Sequence, residues 1–203
     1  MHGRFITIEG IDGAGKSTQT ANLLKFLKDK GIDVVHTREP GGTPPGEKIR
    51  EMLLSDEMGA TAETLLFFAA RAEHVEKVIQ PALDAGRWVV SDRFTDATYA
   101  YQAGGQGFSG EMIDALEQWT LGNFEPDLTI LFDIAPEKAA ERLRARAGNE
   151  DRFERMGVDF FTRVRNAYLL RARNSPSRFL IVDAEQSPDE VARRIAQGVA
   201  QWL

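Results

Sequence analysis

Short apolar runs alternate with longer segments of helical periodicity along the chain. Short runs of β-branched and aliphatic residues are typical of buried strands. Strands that are separated by helices favour a parallel sheet assembled from βαβ units. We therefore predict an α/β fold with a five-stranded parallel sheet and helices on both faces, in one domain over residues 1–203. The predicted strands cover residues 5–8, 32–35, 88–90, 128–132 and 179–182.

The segments between these runs place the helices. The first helix is predicted to end at Gly31, because glycine commonly terminates helices. A long helix is predicted over about residues 64–85, and the last helix is predicted to reach Leu203. His74 falls within the long helix, and we expect it on the helix surface.

The connection between the first strand and the first helix carries a strong chemical pattern. Residues 10–18 match the phosphate-binding pattern G-x-x-x-x-G-K-[ST]. The glycines let consecutive N–H groups point at a phosphate, Lys16 reaches the outer phosphates, and the Ser17 hydroxyl can ligate Mg²⁺. The alternative is a glycine-rich turn without a ligand, which gives Lys16 and Ser17 no structural reason to be there. The residues predicted to bind nucleotide phosphates are Gly10, Ile11, Asp12, Gly13, Ala14, Gly15, Lys16, Ser17 and Thr18.

Residues that follow the predicted strands are the next candidates, since ligands in such sheets lie beyond the carboxyl ends of the strands. Arg38 follows the second strand, and Asp92 and Arg93 follow the third. Asp92 has the placement of a carboxylate that holds Mg²⁺ in P-loop proteins, so Ser17 and Asp92 are the predicted metal residues. The alternatives are a solvated arginine in a surface turn for Arg38 and a strand-ending turn for Asp92.

The long helix offers a site for a nucleobase. Phe67 and Arg71 are spaced i, i+4 and therefore share a helix face. An aromatic ring and a guanidinium on one face can stack on a base and donate hydrogen bonds to it. The alternative is a core phenylalanine beside an arginine that extends to solvent. Arg50, on the preceding predicted helix, taken alone is expected to be a solvated charge.

Composition narrows the classes of protein and of site. The chain has no cysteine, which excludes disulfides, thiolate chemistry and cysteine-zinc sites. A net charge of −6 argues against general nucleic-acid binding. No apolar run approaches the length of a membrane span, and we expect neither a signal peptide nor a membrane partner. The expected location is the cytoplasm.

One local basic cluster stands out on this acidic chain. Four arginines occur at positions 142, 144, 146 and 152, around a glycine-containing break between two helical patterns. Such a cluster can neutralise phosphates when it closes over them. The alternative is a solvated helix face that pairs with Glu137, Glu141 and Glu150. Arg146 and Arg152 lie nearest the break and are our first catalytic candidates; Arg142 shares a helix face with Arg146.

The P-loop is shared by GTPases, motors and small-molecule kinases. A GTPase would carry an Asn/Thr-Lys-x-Asp segment after a strand, and the sequence has none. Arginines at several strand ends favour a kinase with two anionic ligands, because the phosphates brought together must be neutralised. An acceptor that is already a phosphate needs no strong general base.

With these motifs in this order, the chain resembles the thymidylate kinase family in its bacterial form. The resemblance covers essentially the whole length and implies a P-loop kinase fold with an arginine-rich lid at about residues 142–157. It implies transfer of the γ-phosphate of ATP to dTMP, with Mg²⁺, to give dTDP and ADP in dTTP biosynthesis. It also implies a homodimer packed through helices. The segments that carry the resemblance are residues 8–18, 38–43, 66–71, 92–94, 100–102 and 151–154.

The resemblance also implies roles for individual residues. Phe67 stacks on thymine and Arg71 donates a hydrogen bond to a thymine carbonyl. Asp12 contacts the sugar hydroxyl. Arg38 and Arg93 hold the acceptor phosphate. The other residues implied in dTMP binding are Arg50, as a helper at the phosphate, and Thr98, Tyr101 and Gln102, which line the base and sugar.

The lid takes a particular role in this branch. One branch of the family carries an arginine inside the P-loop, whereas this chain has Asp12-Gly13-Ala14 there. The positive charge for catalysis, beyond Lys16 and Arg93, must then come from lid arginines, and Arg146 and Arg152 are the first choices. Two alternatives stay open, namely another nucleoside monophosphate or deoxynucleoside kinase, and a nucleotide-gated binding module without turnover.

Overall fold

The computed structural model describes residues 3–145 and 152–203. Within these ranges the chain forms one sheet of five parallel strands in the order β2-β3-β1-β4-β5. The predicted five-stranded parallel sheet is therefore confirmed. The strands are β1 (Phe5–Glu9), β2 (Val34–Arg38), β3 (Trp88–Asp92), β4 (Leu128–Asp133) and β5 (Phe179–Asp183).

Helices connect the strands, and two of them contain π-helical turns. The π-helical turns span Val75–Ile79 and Tyr99–Gly105. The helices are α1 (Lys16–Asp29), α2 (Pro44–Ser55), α3 (Ala60–His74), α4 (Gln80–Asp84), α5 (Thr95–Thr98), α6 (Gly110–Leu121), α7 (Pro136–Ala145), α8 (Val158–Asn174) and α9 (Pro188–Ala200).

Both faces of the sheet are covered. Successive side chains of a strand point to opposite faces. Ile6 and Ile8 of β1 belong to the core cluster that contains Leu27 of α1. The neighbouring Phe5 belongs to a separate cluster with Ile79. The two clusters lie on opposite faces of β1, as the prediction of helices on both faces requires.

Some predicted boundaries are wrong. The second strand begins at Val34 rather than at residue 32, because the chain is still in the turn after α1, and Trp88 N first pairs with Asp33 O. This edge strand is only partly buried and contains polar residues, so a search for apolar runs locates its ends poorly. The long helix starts at Ala60 and passes through a π-helical turn into α4. The last helix ends at Ala200, three residues before the predicted end.

Candidate active site

An open cavity of about 650 Å³ lies at the carboxyl edge of the sheet. One end is formed by the P-loop, the middle by residues that follow β2 and β3, and the other end by α3 and α5. Most of the residues singled out from the sequence meet here. Those that line the cavity are Asp12, Gly13, Gly15, Lys16, Ser17, Thr18, Arg38, Arg50, Phe67, Arg71, Asp92, Arg93, Thr98, Tyr101 and Gln102.

The P-loop has the backbone that its glycines were expected to allow. Gly10, Gly13 and Gly15 all have positive φ, and a Cβ on Gly13 would lie 2.4 Å from the carbonyl oxygen of Ala139. Lys16 Nζ donates to the carbonyl oxygens of Gly10 and Ile11 at 2.9 and 3.0 Å. Burial and the nearby Arg93 lower the pKa of Lys16. The loop and the start of α1 thus present N–H groups and one ammonium at this end of the cavity.

Arg93 lines the cavity and makes hydrogen bonds to several of the side chains around it. It is the non-glycine residue with positive φ among the described residues, at 71°. One Nη2 contact goes to Asp12 Oδ1 at 2.7 Å and another to the Tyr101 hydroxyl at 2.9 Å. Burial alone would raise the pKa of Asp12, but the charges of Arg93 and Lys16 lower it well below its usual range. Asp12 therefore stays ionised and holds Arg93 against the P-loop.

Glu9, the last residue of β1, fixes Arg93 through the backbone of Phe94 and the side chain of Tyr168. Its Oε1 accepts the backbone N–H of Phe94 at 2.7 Å, and its Oε2 accepts the hydroxyl of Tyr168 at 2.7 Å. Arg93 Nη1 in turn donates to the Tyr168 hydroxyl. Burial and the charge of Asp96 raise the pKa of Glu9 to about 8. Glu9 and Tyr168 thus brace the backbone and the side chain of Arg93.

Asp92 and Ser17 are the residues that the sequence predicts to hold a metal ion. Both line the cavity, and Asp92 Oδ1 is buried without a hydrogen-bond partner among the described residues. A buried carboxylate oxygen without a donor is suited to a cation or to the water around one. Across the described ranges, no group of three or more His, Asp or Glu side chains forms a metal site of its own. A metal here would depend on ligands from the nucleotide.

Two further arginines bring positive charge to the middle of the cavity. Arg38 Nη2 pairs with Glu47 at 2.8 Å, and Arg50 Nη1 donates to the carbonyl oxygen of Pro40 at 3.0 Å. Burial and the like charge of Arg38 lower the pKa of Arg50. Arg50 is half-buried and lines the cavity, so the expectation of a solvated helix charge is wrong. Both arginines line the cavity and stay candidates for binding an anion there.

The other end of the cavity is aromatic and polar. Phe67 is half-buried, and its ring centroid lies 6.4 Å from that of Phe153. Arg71 does not reach bulk solvent, since only 2% of its surface is exposed. Its Nη2 donates to Thr98 Oγ1 at 3.1 Å, and Gln102 Nε2 donates to Glu63 at 2.8 Å.

The arginines of the predicted lid that the structure describes lie in separate environments. Arg142 lines the cavity, and its Nη1 lies 4.0 Å from the position that a Cβ on Gly15 would take. Its Nη2 donates to the carbonyl oxygen of Ala184. Arg152 instead pairs with the buried Glu63, whose other carboxylate oxygen accepts a hydrogen bond from Gln102. Arg146 lies outside the described residues.

Sequence reasoning missed part of the support for this site. Glu9, Glu39 and Tyr168 were given no role, and His74 was expected on the helix surface, which is wrong because it is fully buried against Glu39. Two signals were available. Glu9 is a charged residue within an otherwise apolar strand, and His74 lies at i+3 from Arg71 on the same helix face.

Comparisons with known proteins identify the family of this chain. The family model described as Thymidylate kinase matches residues 8–195. A thymidylate kinase from Methylobacillus flagellatus is 52% identical over 195 residues, which cover 96% of each chain. A thymidylate kinase from Bordetella pertussis is 56% identical over 191 residues, which cover 94% of this chain and 91% of the relative. The crystal structure of thymidylate kinase from Ehrlichia chaffeensis superposes with a TM-score of 0.80 at 32% identity, covering 98% of this chain and 99% of the other. The chain belongs to the thymidylate kinase family.

Proposed function

We propose that this protein transfers the γ-phosphate of ATP to dTMP and releases dTDP and ADP. The observation that carries the proposal is one cavity with a P-loop at one end and the Phe67–Arg71 pair at the other. Arg38, Arg50 and Arg93 lie between them, where an acceptor phosphate would meet the phosphate chain of the donor. Family membership supports the same reaction and favours it over a binding module without turnover.

The residues of the cavity supply positioning and charge. Lys16 and the P-loop N–H groups hold the outer phosphates of ATP. Arg93, braced by Asp12 and Glu9, and the Arg38–Arg50 pair hold the phosphate of dTMP. The attacking oxygen belongs to a phosphate that is already ionised, so no base has to remove a proton from it.

Mg²⁺ completes the proposed reaction. Asp92 and Ser17 would hold the ion together with the nucleotide phosphates, and the unpartnered Oδ1 of Asp92 supports this assignment. When bound, Mg²⁺ neutralises charge that develops on the transferred group.

Recognition of thymine is proposed at the aromatic end. Phe67 offers a ring face for stacking. Arg71 Nη1 is buried and, within the described chain, has no hydrogen-bond partner, so it is ready to donate to a base carbonyl. Thr98, Tyr101 and Gln102 border the space that the base and sugar would fill.

We propose that residues 142–157 act as a lid over the phosphates within a single domain of 203 residues. Arg142 is best placed, among the described lid arginines, to approach the P-loop. Arg146 and Arg152 remain catalytic predictions from the sequence. The ion pair of Arg152 with Glu63 would have to open before Arg152 could reach a phosphate.

A homodimer is the proposed assembly. Large exposed apolar side chains occur on α3 and α6, which contact each other, and Trp119 is 82% exposed. An apolar surface of this kind is typical of an interface between protein chains. None of the helices in the described ranges has the length and hydropathy of a membrane crossing. The cytoplasmic location stays a prediction of the sequence.

A panel of nucleoside monophosphates tests the proposed function. The protein is incubated with ATP, Mg²⁺ and one of dTMP, dUMP, dCMP, dGMP or dAMP, and ADP formation is followed. We expect the highest kcat/KM with dTMP. If another monophosphate gave a higher kcat/KM, that nucleotide would be the preferred substrate instead of dTMP. If none of them were turned over, the result would support a binding module without turnover.

A further inference from the structure

A line of buried polar side chains lies behind the base end of the cavity. Arg71 Nε donates to Glu39 Oε2 at 2.6 Å. Glu39 Oε1 lies 3.0 Å from His74 Nδ1, and His74 Nε2 lies 2.6 Å from Thr37 Oγ1. Arg71, Glu39 and His74 are each almost fully buried. The line thus connects β2 and the loop after it to the residue of α3 that would contact the base.

These contacts use most of the donors of Arg71. Its Nη2 donates to the carbonyl oxygen of Phe94 and to Thr98 Oγ1, both at 3.1 Å. The guanidinium carbon lies 5.0 Å from the ring centroid of Phe68 and 5.4 Å from that of Phe94, so its plane is also fixed. Nη1 alone has no partner among the described residues. A ligand in the cavity therefore meets a donor that is held in one orientation.

A fixed guanidinium N–H can only donate, so it selects the chemistry of the base edge. A carbonyl, as in thymine or uracil, accepts this hydrogen bond. The amino group that cytosine carries at the same position is itself a donor and would leave two donors facing each other. An unpaired buried polar group is costly, so even one fixed donor discriminates strongly.

We propose that Glu39 and His74 are positioning residues that set the selectivity for carbonyl over amino pyrimidines by fixing Arg71. The inference rests on the proposed function. Glu39 supplies the counter-charge of the buried guanidinium and fixes its Nε. His74 fixes the Glu39 carboxylate: with Nδ1–H donating to Glu39, its Nε2 accepts from the Thr37 hydroxyl, a tautomer assigned from this network.

The loop after β2 is shaped to admit this arrangement. Gly42 has a φ of 80°, and a Cβ there would lie 2.5 Å from the His74 ring and 2.8 Å from Thr37 Oγ1. A glycine at position 42 thus leaves the space that the imidazole occupies. This gives the Glu-Pro-Gly-Gly segment a role in base selection in addition to carrying Arg38 beside the phosphate site.

The test compares selectivity among three substrates in Glu39→Gln, His74→Leu and His74→Asn. For each variant, kcat/KM is measured with dTMP, dUMP and dCMP, together with KM for ATP; where dCMP turnover is too slow, its inhibition constant is used. We expect Glu39→Gln to lower the ratio of dTMP to dCMP by about ten- to hundredfold, the range for loss of a charge-assisted hydrogen bond. His74→Leu should lower it by about tenfold, and His74→Asn should recover part of the loss because its amide can still donate to Glu39.

Two internal controls separate positioning from general damage. The ratio of dTMP to dUMP and the KM for ATP should not change, because neither depends on the Arg71 donor. Ile195→Val, a core change in α9 at a residue that does not line the cavity, should leave both ratios and the KM for ATP unaltered. Should Glu39→Gln fail to fold, His74→Leu carries the same test, since it retains the Glu39–Arg71 ion pair.

The inference is overturned if His74→Leu keeps the parental dTMP to dCMP ratio within twofold, or if activity falls equally with all three monophosphates. If the parent protein turns over dTMP and the variants keep the parental dTMP to dCMP ratio, the result contradicts this inference but not the proposed function. A parent protein that turns over none of the monophosphates contradicts the proposed function and this inference together.

Discussion

Individual side chains carry most of the proposed chemistry, and Lys16 is the residue with the most defined role. It is buried over the P-loop, and its Nζ contacts backbone carbonyls rather than a strong counter-ion, the nearest carboxylate oxygen being that of Asp12 at 3.6 Å. We expect Lys16→Ala to lower kcat by about 10²–10³-fold or more, the scale for removing one donor that stabilises transition-state charge. The melting temperature should change little. Lys25→Ala, an exposed position on the same helix, is the control and should match the parent in steady-state assays.

Phe67 tests the assignment of the base site. Loss of a base stack costs about 1–3 kcal/mol by analogy with single-strand binding, which corresponds to roughly 5- to 150-fold in affinity. We expect Phe67→Ala to raise KM for dTMP by this factor and to leave KM for ATP unchanged. Thr61→Ala, at an exposed position of the same helix that does not line the cavity, is the matched control. An unchanged KM for dTMP in Phe67→Ala would show that Phe67 packs against Phe153 and does not stack on the base.

Glu9 links the end of β1 to pH-dependent stability. Its pKa is raised from 4.5 to about 8 by burial and by Asp96, so between these values the folded state holds a proton that the unfolded state has lost. Relative to Glu9→Gln, the parent should therefore be most favoured below pH 4.5 and lose stability as pH rises, by up to about 1.4 kcal/mol per pH unit. Above about pH 8 the difference should level off.

Urea unfolding of the parent and of Glu9→Gln between pH 5 and pH 9 measures this difference. Other titrating groups cancel, because both proteins contain them. Parallel curves over the whole range would show that Glu9 does not hold its proton in the folded state.

At the scale of elements, the strand ends were predictable and their connections were not. Arg38 and Asp92 end their strands and the P-loop follows β1, and a parallel sheet must bring such residues to one edge. The order of the strands and the pairing of Glu39 with His74, 35 residues apart, depend on packing that no local pattern records. His74 is an example, because the helical pattern around it does not indicate that Glu39 contacts its ring.

The proposed lid contributes Arg142 to the lining of the cavity. We expect Arg142→Ala to lower kcat by about 10³-fold or more, as an arginine acting on a transferred phosphoryl group does. Arg144→Ala is the matched control, since Arg144 lies on another face of α7 and does not line the cavity. The melting temperature should remain close to the parental value in both.

Alanine variants of Arg146 and Arg152 complete this series. If all four single variants turn over dTMP within a few-fold of the parent, the lid is a solvated charged face. The additional cation would then have to be sought among Arg38, Arg50 and Arg93.

At the scale of the whole molecule, the exposed apolar surface predicts assembly. We expect the parent to sediment as a dimer of 22.6 kDa chains and Trp119→Glu to raise the dimer dissociation constant at least about tenfold, because it places a charge in an apolar contact. Leu170→Glu, an exposed apolar position on α8, is the control and should remain dimeric. A monomeric parent, or a Trp119→Glu variant that dimerises like the parent, would contradict the proposed interface.

Much of the whole-molecule architecture could be predicted from the sequence, because the apolar runs and the P-loop are local features. The same holds for the family, whose motifs occur in order along the chain. Burial of Arg71 and the bracing of Arg93 by Tyr168 could not be predicted, since each needs the positions of residues far apart in sequence. The assembly likewise depends on a surface that only the folded chain displays.

The central claim is that this cavity transfers a phosphoryl group from ATP to dTMP. The most direct measurement is ³¹P NMR of the parent protein with ATP, Mg²⁺ and dTMP, with Lys16→Ala over the same time as the low-activity control. We expect the dTMP signal to be replaced by the two signals of dTDP while ATP is converted to ADP in equal amount. Conversion of ATP to ADP and free phosphate with dTMP left intact, or no conversion at all by a folded protein, would contradict the account.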